Sequence, residues 1–264
     1  MDVLVTGAYG QCGTAIIDHL GGADRYAFTY FNRSDRPDEH PYGGYDTVVG
    51  DVADFEALRD AVAGHDAVVH LAGYTDVDST WEDVHEPNIV GVRNALEAAR
   101  EASVESFVYA STNHVVGRYE DEEAPEIYQP GHGVVLDRDS EVRPDSFYGT
   151  SKLFGERLGR QYAELYDHPE HVYVLRIANV SYADEDYPGN DRLKAMWHSR
   201  RDFAHQVDCC LRDDAVDFGV YSGVSDNARR WFSIEHARAE IGYRPRDDGE
   251  EWDGELPNGE PGDR

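Results

Sequence analysis

Short apolar runs alternate along the chain with longer segments in which apolar residues recur every three or four positions. The short runs are typical of strands buried on both faces of a sheet, and the longer segments have the period of amphipathic helices. Strands that alternate with helices form parallel sheets with helices on both faces. The sequence therefore predicts an α/β fold with a doubly wound parallel sheet, whose strands cover residues 2–6, 26–31, 47–49, 67–71, 106–110, 172–177 and 217–221.

The same pattern predicts the helices and the division of the chain. Helices are expected at residues 14–20, 55–63, 86–102, 148–165, 192–211 and 233–241. Residues 117–145 are acidic and punctuated by Gly and Pro, and they are predicted to form a long loop of the kind that is usually a functional lid or disordered. We expect one domain over 1–248, with a small C-terminal substrate lobe formed mainly by 179–245. Residues 249–264 are expected to be a disordered acidic tail.

A glycine-rich loop joins the first strand to the first helix. Gly7, Gly10 and Gly13 allow a tight turn, a close approach of backbone to a pyrophosphate, and close packing of the helix. The amino end of the helix then faces the phosphates. Position between strand and helix makes this a specific signal for a dinucleotide site, whose expected residues are Gly7, Tyr9, Gly10, Gln11, Cys12 and Gly13.

The end of the second strand lacks the acid that usually holds the ribose of NAD. Asn32, Arg33 and Ser34 stand there, and no carboxylate precedes Asp35. Arg33 and Ser34 suit a 2′-phosphate, whereas Asn32 can still serve a ribose hydroxyl. We therefore expect NADP to be preferred and NAD to be usable. The alternative is that Arg33 is a solvated loop residue.

Two further stretches follow strands and face the same cofactor. After the third strand, the carboxylate of Asp51 can accept from the adenine amino group while the amide of Val52 donates. The fourth strand closes with Leu71, Ala72 and Gly73, where small residues let the backbone lie along the cofactor. Both stretches are predicted to bind the dinucleotide.

Tyr148 and Lys152 are four residues apart, so they share one face of the predicted helix. An ammonium group beside a phenol favours the phenolate and lowers its pKa from the ordinary value of about 10. Such a phenol can take a proton from a sugar or alcohol hydroxyl near neutral pH. The chain has only one other lysine, Lys194, and otherwise uses arginine, so a functional role for Lys152 is favoured over a solvated helix face.

Composition narrows the classes of partner. The formal net charge is −29, with 53 acidic against 24 basic residues, which disfavours nucleic acid and anionic membrane. The acidic excess with two lysines resembles proteins of salt-loving archaea, where screening shortens the repulsion between carboxylates. We see no secretory signal, no apolar run of about 18 residues and no Cys-x-x-Cys motif. We expect a cytoplasmic protein without a metal site that forms a homo-oligomer, a dimer or a tetramer.

The glycine loop, Tyr148 and Lys152 occur together with other motifs in an order that resembles the extended short-chain dehydrogenase/reductase family. Those motifs are Asp51-Val52, His70-Leu71-Ala72-Gly73, Asn88-Ile89-Val90-Gly91 and Ser111-Thr112. The resemblance covers about residues 1–245 and implies a Rossmann fold that binds a nicotinamide cofactor. It implies that Tyr148 is the base, that Thr112 steadies the substrate oxygen and that Asn88 belongs to the catalytic set. Lys152 would bind the nicotinamide ribose and lower the pKa of the tyrosine.

Longer stretches at 111–117, 195–202 and 221–227 are similar to those of uronate dehydrogenases and the related sugar dehydrogenases of haloarchaea. The chain departs from that branch in Asn179, where a serine is expected, and in a longer loop before Arg192. Arg192 stands where a uronate carboxylate would bind, and it is also compatible with a packing or loop-anchoring role. The substrate-binding residues implied by the resemblance are Thr75, Thr112, Asn113, His114, Tyr148, Asn179 and Arg192.

The expected reaction is oxidation of a cyclic aldose at its anomeric carbon to a lactone, with Tyr148 as base and no metal. L-arabinose is the expected substrate, and glucose 6-phosphate and a hexuronate are alternatives. A nucleotide-sugar epimerase or dehydratase remains a second kind of enzyme to consider. A non-catalytic NADP-binding regulator is the remaining class, and it usually has a broken Tyr/Lys pair, which is intact here.

Overall fold

Seven strands form one sheet in the spatial order β3-β2-β1-β4-β5-β6-β7. The structure, a computed structural model, describes residues 1–36, 40–43, 45–183 and 190–251. All neighbouring strands pair in parallel, which confirms the predicted α/β architecture. The strands are β1 (Asp2–Thr6), β2 (Ala27–Asn32), β3 (Thr47–Val49), β4 (Ala67–His70), β5 (Ser106–Thr112), β6 (His171–Ile177) and β7 (Phe218–Gly223).

Helices cover both faces of the sheet. They are α1 (Gln11–Leu20), α2 (Phe55–Val62), α3 (Trp81–Val84), α4 (Gly91–Glu101), α5 (Arg118–Glu123), α6 (Phe147–Leu165), α7 (Asp191–Met196), α8 (Arg200–Arg212) and α9 (Glu235–Glu240). Helix α1 packs with α8, and α4 packs with both α2 and α6. No helix within the described part of the chain is long and apolar enough to cross a membrane.

Strand β1 shows how the apolar pattern builds two cores. Its side chains point alternately to the two faces of the sheet. Val3 and Val5 join the core that contains Ile16 of α1, whereas Leu4 joins the core that contains Leu58 of α2. All three side chains are fully buried. A continuous apolar run is therefore what a central strand covered on both faces requires.

The site follows from the topology of the sheet. From β1 the chain adds β2 and β3 on one side, and then returns to add β4 on the other side. Such a switch point opens a crevice outside the carboxyl ends of the two central strands, where α/β sheets bind ligands. Thr6 and His70 are paired at this end of β1 and β4, and the predicted glycine loop follows Thr6 directly.

Three predicted segments differ from the structure. The helix expected at 192–211 is divided into α7 and α8, which are separated by residues 197–199. The helix expected at 86–102 begins earlier, and a π-helical turn at His85–Val90 separates α3 from α4. The loop expected at 117–145 contains α5 and a short 3₁₀ turn, and it buries Ile127 and Leu136. Backbone bridging between Leu136 and Phe232 ties this segment to the C-terminal part of the chain. The segment is therefore packed against the domain rather than a simple loop.

The C-terminal part continues the main layers. Helix α8 and strand β7 both lie within 179–245, so much of the segment assigned to a substrate lobe contributes to the sheet and to its helical cover. Gly249, the first residue of the expected tail, is buried, and its amide donates to Asn227 Oδ1 at 3.0 Å. The chain is therefore held beyond the predicted start of the tail, and residues 252–264 lie outside the described residues.

Candidate active site

The glycine loop has the space that a dinucleotide needs. Gly7 has a φ of +68°, and a Cβ there would come within 2.8 Å of the Ala72 amide nitrogen. A Cβ on Gly13 would collide with the carbonyl oxygen of Ala8, so this glycine lets α1 pack closely against the strand end. Gly10 caps α1 without a side-chain hydrogen bond, so the first amides of the helix are left for a ligand. These residues fit a bound pyrophosphate.

Basic and aromatic groups surround the end of β2. Asn32 donates from its amide to the Ser34 carbonyl at 2.9 Å, and Arg33 and Ser34 are exposed. The guanidinium of Arg36 lies over the ring of Tyr9, 5.0 Å from its centroid. No carboxylate is placed at the last position of β2, in agreement with the sequence. Arg36 was missed by the sequence analysis, because only the fold brings it to the glycine loop.

The two other stretches predicted to bind the dinucleotide follow the carboxyl ends of β3 and β4. Asp51 is exposed, and its carboxylate accepts from the Ala53 amide at 3.0 Å. Asn94 on α4 donates to the Val52 carbonyl at 3.0 Å, which fixes the turn after β3. The Ala72 amide donates to the Thr6 hydroxyl at 3.2 Å, so the end of β4 is held against the start of the glycine loop.

Tyr148, Lys152 and Thr112 meet at the carboxyl edge of the sheet. Helix α6 begins after Ser146, whose hydroxyl accepts from the Gly149 amide, and this cap places Tyr148 in the first turn. Lys152 is one turn further on, and its ammonium donates to the Ala110 carbonyl at 2.8 Å. Tyr148 is 7% exposed and Lys152 is 2% exposed. A Cβ on Gly73 would lie 3.1 Å from Lys152 Nζ, so the lysine faces the expected path of the cofactor.

Burial dominates the proton affinities of this pair. It raises the pKa of Tyr148 to about 12, and hydrogen bonding by Thr112 opposes that rise only in part. Burial also lowers the pKa of Lys152 to about 8. The lowering of the phenol pKa that is expected from Lys152 does not outweigh burial in the protein by itself, and it stays a prediction. The physical reason is that both charged forms are poorly solvated here, and the ammonium is directed to a backbone carbonyl.

Asn88 lies in the π-helical turn and is buried. Its amide nitrogen donates to the Tyr74 carbonyl at 2.9 Å and to the Ser151 hydroxyl at 2.8 Å, and its oxygen accepts from the Tyr74 amide at 2.7 Å. Asn88 thus joins the segment after β4 to α6. Thr75, next to Tyr74, is exposed at this edge.

One of the expected sugar contacts, Asn113, is buried in the frame of the site, and another, Asn179, is partly buried. Asn113 is 2% exposed, and with its amide oriented to pair, it donates to the carbonyls of Ile177 and Ala178 at 3.2 and 3.3 Å. Asn179 follows β6 and forms a backbone bridge with Trp197. The side chain of Asn113 therefore fastens β5 to β6. His114 differs, because its ring lies 5.8 Å from the Tyr148 ring.

Arg192 on α7 is paired within the protein. Its Nε lies 2.5 Å from Glu120 Oε1, and the hydroxyl of Tyr128 donates to the same oxygen at 2.7 Å. Glu120 was not identified from the sequence, because it lies in the segment expected to be a loop. This ion pair favours the loop-anchoring role for Arg192 over a free carboxylate receptor.

A second ion pair holds α6, the helix that carries Tyr148 and Lys152, to β6. Glu156, one turn beyond Lys152, accepts two hydrogen bonds from Arg176 at 2.9 and 2.8 Å. The Ser111 hydroxyl donates to Glu156 at 2.6 Å. All three side chains are buried. Neither Glu156 nor Arg176 was predicted, although the spacing of Tyr148, Lys152 and Glu156 places them on one helical face.

The chain is similar in sequence to known proteins. The model of the NAD dependent epimerase/dehydratase family matches residues 3–210. An NAD-dependent glucose-6-phosphate dehydrogenase of Haloferax volcanii is 40% identical over 256 residues, with 95% of each chain covered. An L-arabinose 1-dehydrogenase (NAD(P)(+)) of the same organism is 37% identical, over 93% of this chain and 96% of the relative.

Solved structures also show similarity to sugar dehydrogenases. A uronate dehydrogenase mutant from Agrobacterium tumefaciens, in complex with NAD, superposes with a TM-score of 0.79 at 30% identity. The match covers 94% of this chain and 86% of that protein. The Rossmann fold and the expectation of an NAD(P)-dependent oxidoreductase are confirmed. The chain therefore belongs to the NAD dependent epimerase/dehydratase family, and the similar proteins just described are sugar dehydrogenases.

Proposed function

We propose that this chain is an aldose 1-dehydrogenase, which oxidises the anomeric carbon of a cyclic sugar to the lactone. The observation that carries the proposal is the meeting of Tyr148, Lys152 and Thr112 beside the glycine loop at the switch point of the sheet. The similarity to dehydrogenases of free sugars supports it. A nucleotide-sugar enzyme is the less supported alternative, because MoeE5 and a UDP-glucuronic acid 4-epimerase of Bacillus cereus, both solved with UDP-glucuronic acid, are 19% and 18% identical and share the fold alone.

In this proposal Tyr148 accepts the proton of the anomeric hydroxyl. The hydroxyl of Thr112 forms a hydrogen bond with the oxygen of the same anomeric hydroxyl and holds the sugar in place. A bound oxidised nicotinamide would supply the acceptor for the hydride that leaves carbon 1. The site needs a positive charge before Tyr148 can work, because burial raises the pKa of the phenol to about 12. Lys152, whose pKa is lowered to about 8, is still charged near pH 7 and contributes part of that charge.

We propose L-arabinose as the substrate. A neutral sugar requires no cationic receptor, and the guanidinium of Arg192 is already engaged by Glu120. The same pairing argues against a hexuronate, whose carboxylate would have to displace Glu120. Glucose 6-phosphate is the second candidate, since a glucose-6-phosphate dehydrogenase is 40% identical over nearly the whole chain.

The test is a substrate panel with the wild type and Tyr148→Phe. L-arabinose, glucose 6-phosphate, a hexuronate and a UDP-sugar are each mixed with NAD or NADP, and the absorbance of reduced nicotinamide is followed. We expect turnover with a free aldose, which Tyr148→Phe lowers by about 10² to 10⁴, the usual range for general acid-base catalysis. Cofactor affinity of the variant, measured by fluorescence titration, should be unchanged. Wild-type rates in the variant would exclude Tyr148 as the base.

We propose that NADP is preferred over NAD. Arg33 follows β2, where the ribose is expected to bind, Arg36 lies over the Tyr9 ring of the glycine loop, and no acid at the end of β2 would repel a phosphate. A charge-assisted hydrogen bond is worth about 1.5 to 3 kcal/mol. That corresponds to a preference of about ten- to a hundredfold in kcat/KM at about 1.4 kcal/mol per factor of ten. Arg33→Ala should remove most of the preference and leave turnover with NAD nearly unchanged, in a steady-state comparison of the two cofactors.

Two results would contradict this assignment. A wild type that prefers NAD would show that the missing acid does not select for phosphate. A variant Arg33→Ala that loses activity equally with both cofactors would show that Arg33 is a structural loop residue. Arg36→Ala provides the matched comparison, because Arg36 also packs on the Tyr9 ring and its loss should affect both cofactors.

A further inference from the structure

His114 and Asp145 form a side-chain pair at the edge of the site. Nδ1 of His114 lies 2.6 Å from Oδ2 of Asp145. The side chains are largely buried, with 17% of His114 and 11% of Asp145 exposed. The imidazole is tilted by 57° against the phenol ring of Tyr148, and the two ring centroids are 5.8 Å apart. A histidine–carboxylate pair therefore lies directly beside the proposed base.

The backbone brings this pair together. The amide of Asp145 donates to the His114 carbonyl at 3.4 Å, and the amide of Arg143 donates to the Val115 carbonyl at 2.9 Å. These bonds join the 3₁₀ turn at Asn113–Val116 to the residues before α6. The segment that carries the carboxylate is thus fastened to the turn that carries the imidazole.

Gly117 provides the room for the carboxylate. A Cβ at this position would collide with Oδ2 of Asp145. The φ of Gly117 is −61° and its ψ is −25°, values that any residue adopts readily. The glycine is therefore required for space and not for its conformational freedom.

Asp145 is held in its ionised form. Burial acts to raise the pKa of the carboxyl, but hydrogen bonds from His114 and Ser146 outweigh it and lower the pKa below the usual value. The hydroxyl of Ser146 donates to Oδ1 at 2.7 Å, which leaves Oδ2 to the histidine. An ionised carboxylate only accepts hydrogen bonds, so Nδ1 of His114 must carry the proton between them.

We infer that Asp145 is a positioning residue that fixes His114 as the Nδ1–H tautomer, so that Nε2 of His114 accepts a hydrogen bond from a sugar hydroxyl beside Tyr148. In a neutral imidazole one nitrogen donates and the other accepts, and the partner of Nδ1 decides which. Within the described part of the chain, Nε2 has no hydrogen-bond partner. The inference rests on the proposed function only for the identity of the hydroxyl.

The tautomer decides how a sugar is oriented. With a bare Nε2 lone pair, the histidine accepts a hydrogen bond from a sugar hydroxyl, and the lone pairs of that hydroxyl then point elsewhere in the cleft. With the opposite tautomer the histidine would offer a proton, and the same hydroxyl would be rotated or repelled. Loss of Asp145 should therefore weaken sugar binding while the dinucleotide still binds.

The tautomer is tested by ¹⁵N NMR of uniformly labelled protein near neutral pH. The resonances of His114 are assigned by their loss in His114→Gln. We expect a protonated Nδ1 and an unprotonated Nε2 in the wild type, and a shift towards Nε2–H in Asp145→Asn and in Gly117→Ala. An Nε2–H tautomer or a doubly protonated ring in the wild type would overturn the inference. This measurement needs no substrate, so it stands even if the aldose panel fails.

Steady-state kinetics distinguish a role of Asp145 in positioning His114 from a role in stabilising the segment. Asp145→Asn and Gly117→Ala should raise the KM for the sugar about tenfold, the effect of one lost hydrogen bond, with the KM for the cofactor unchanged. Glu122→Gln is the control, because Glu122 pairs with Arg143 and supports the same segment without touching His114. Its tautomer and sugar KM should match the wild type. Equal losses in Glu122→Gln and Asp145→Asn would show that Asp145 only stabilises the segment.

Discussion

Lys152 is 2% exposed, and its ammonium donates a hydrogen bond to the carbonyl of Ala110. Burial lowers its pKa from 10.5 to about 8. The unfolded chain therefore binds a proton more tightly at this residue than the folded chain does. By linkage, folding is weakened where the lysine is charged, and stability increases as the pH rises from about 8 towards 10.5.

Lys152→Met should therefore be more stable than the wild type near pH 7. The shift corresponds to about 3 kcal/mol in the free energy of unfolding, from which the lost hydrogen bond to Ala110 subtracts about 1 kcal/mol. Urea unfolding at several pH values measures the difference. The advantage of the variant should shrink as the pH rises above 8. A variant less stable than the wild type at every pH would show that the ammonium stabilises the fold. Activity should be lost throughout.

Site residues that form a pattern with near neighbours in the sequence could be predicted. Site residues whose partners are brought close only by the fold could not. Tyr148 and Lys152 are found because a spacing of four on a helix is visible in the sequence. Asp145 lies 31 positions from His114 in the chain, and Glu120 lies 72 positions from Arg192. Nothing in a run of acidic residues shows which carboxylate will be buried. The raised pKa of Tyr148 also depends on burial, which composition does not reveal.

At the scale of elements, the position of α1 depends on the close approach of Gly13 to the backbone of Ala8. A Cβ on Gly13 would meet the backbone of Ala8, which belongs to the glycine loop and cannot yield as a flexible side chain can. Gly22 follows the other end of the same helix, and nothing lies within 4 Å of a Cβ there. The two glycines thus separate the effect of a methyl group at the cofactor end from the same change in open space.

Gly13→Ala should displace the amino end of α1 from the loop. We expect cofactor affinity to fall by at least tenfold and the protein to lose about 1 to 3 kcal/mol, the usual cost of an overpacked methylene. Calorimetric titration and thermal unfolding measure the two effects. Gly22→Ala should leave both within error of the wild type. Full cofactor affinity in Gly13→Ala would mean that the helix end does not hold the pyrophosphate.

The strands are predicted closely because their apolar runs are set by burial on two faces. Strand β3 has the bounds expected from the sequence, and β6 begins one residue earlier than expected. The helix around Asn88 is predicted less well, because a π-helical turn adds one residue per turn without changing the apolar pattern. The segment at 117–145 is mistaken for a loop because its glycines and acids hide the few apolar residues that pack, such as Ile127 and Leu136.

At the scale of the whole molecule, arginine forms most of the ion pairs with the acidic side chains in the described part of the chain. Ion pairs join distant segments, for example Arg192 with Glu120, Arg176 with Glu156, and Arg138 with Glu240. Arginine is suited to this use because its planar fork binds a carboxylate with two hydrogen bonds. Such pairs neutralise only part of the acidic surface, since 53 acidic residues face 24 basic ones. The unpaired carboxylates repel one another across the surface.

The folded protein should therefore need salt. Self-repulsion at a net charge of −29 destabilises the compact state, and about 1 M salt shortens the Debye length to about 3 Å. We expect the melting temperature to rise steeply from dilute buffer to molar KCl, in scanning calorimetry.

The triple variant Glu101→Gln, Glu123→Gln, Asp214→Asn removes exposed carboxylates, so its melting temperature in dilute buffer should be higher and its salt dependence weaker. Sucrose does not screen charge, so it controls for general stabilisation. It should raise the melting temperatures of the wild type and the triple variant equally. A flat profile in KCl would show that the carboxylates are solvated without net repulsion, and that the acidic composition with two lysines is not an adaptation to salt.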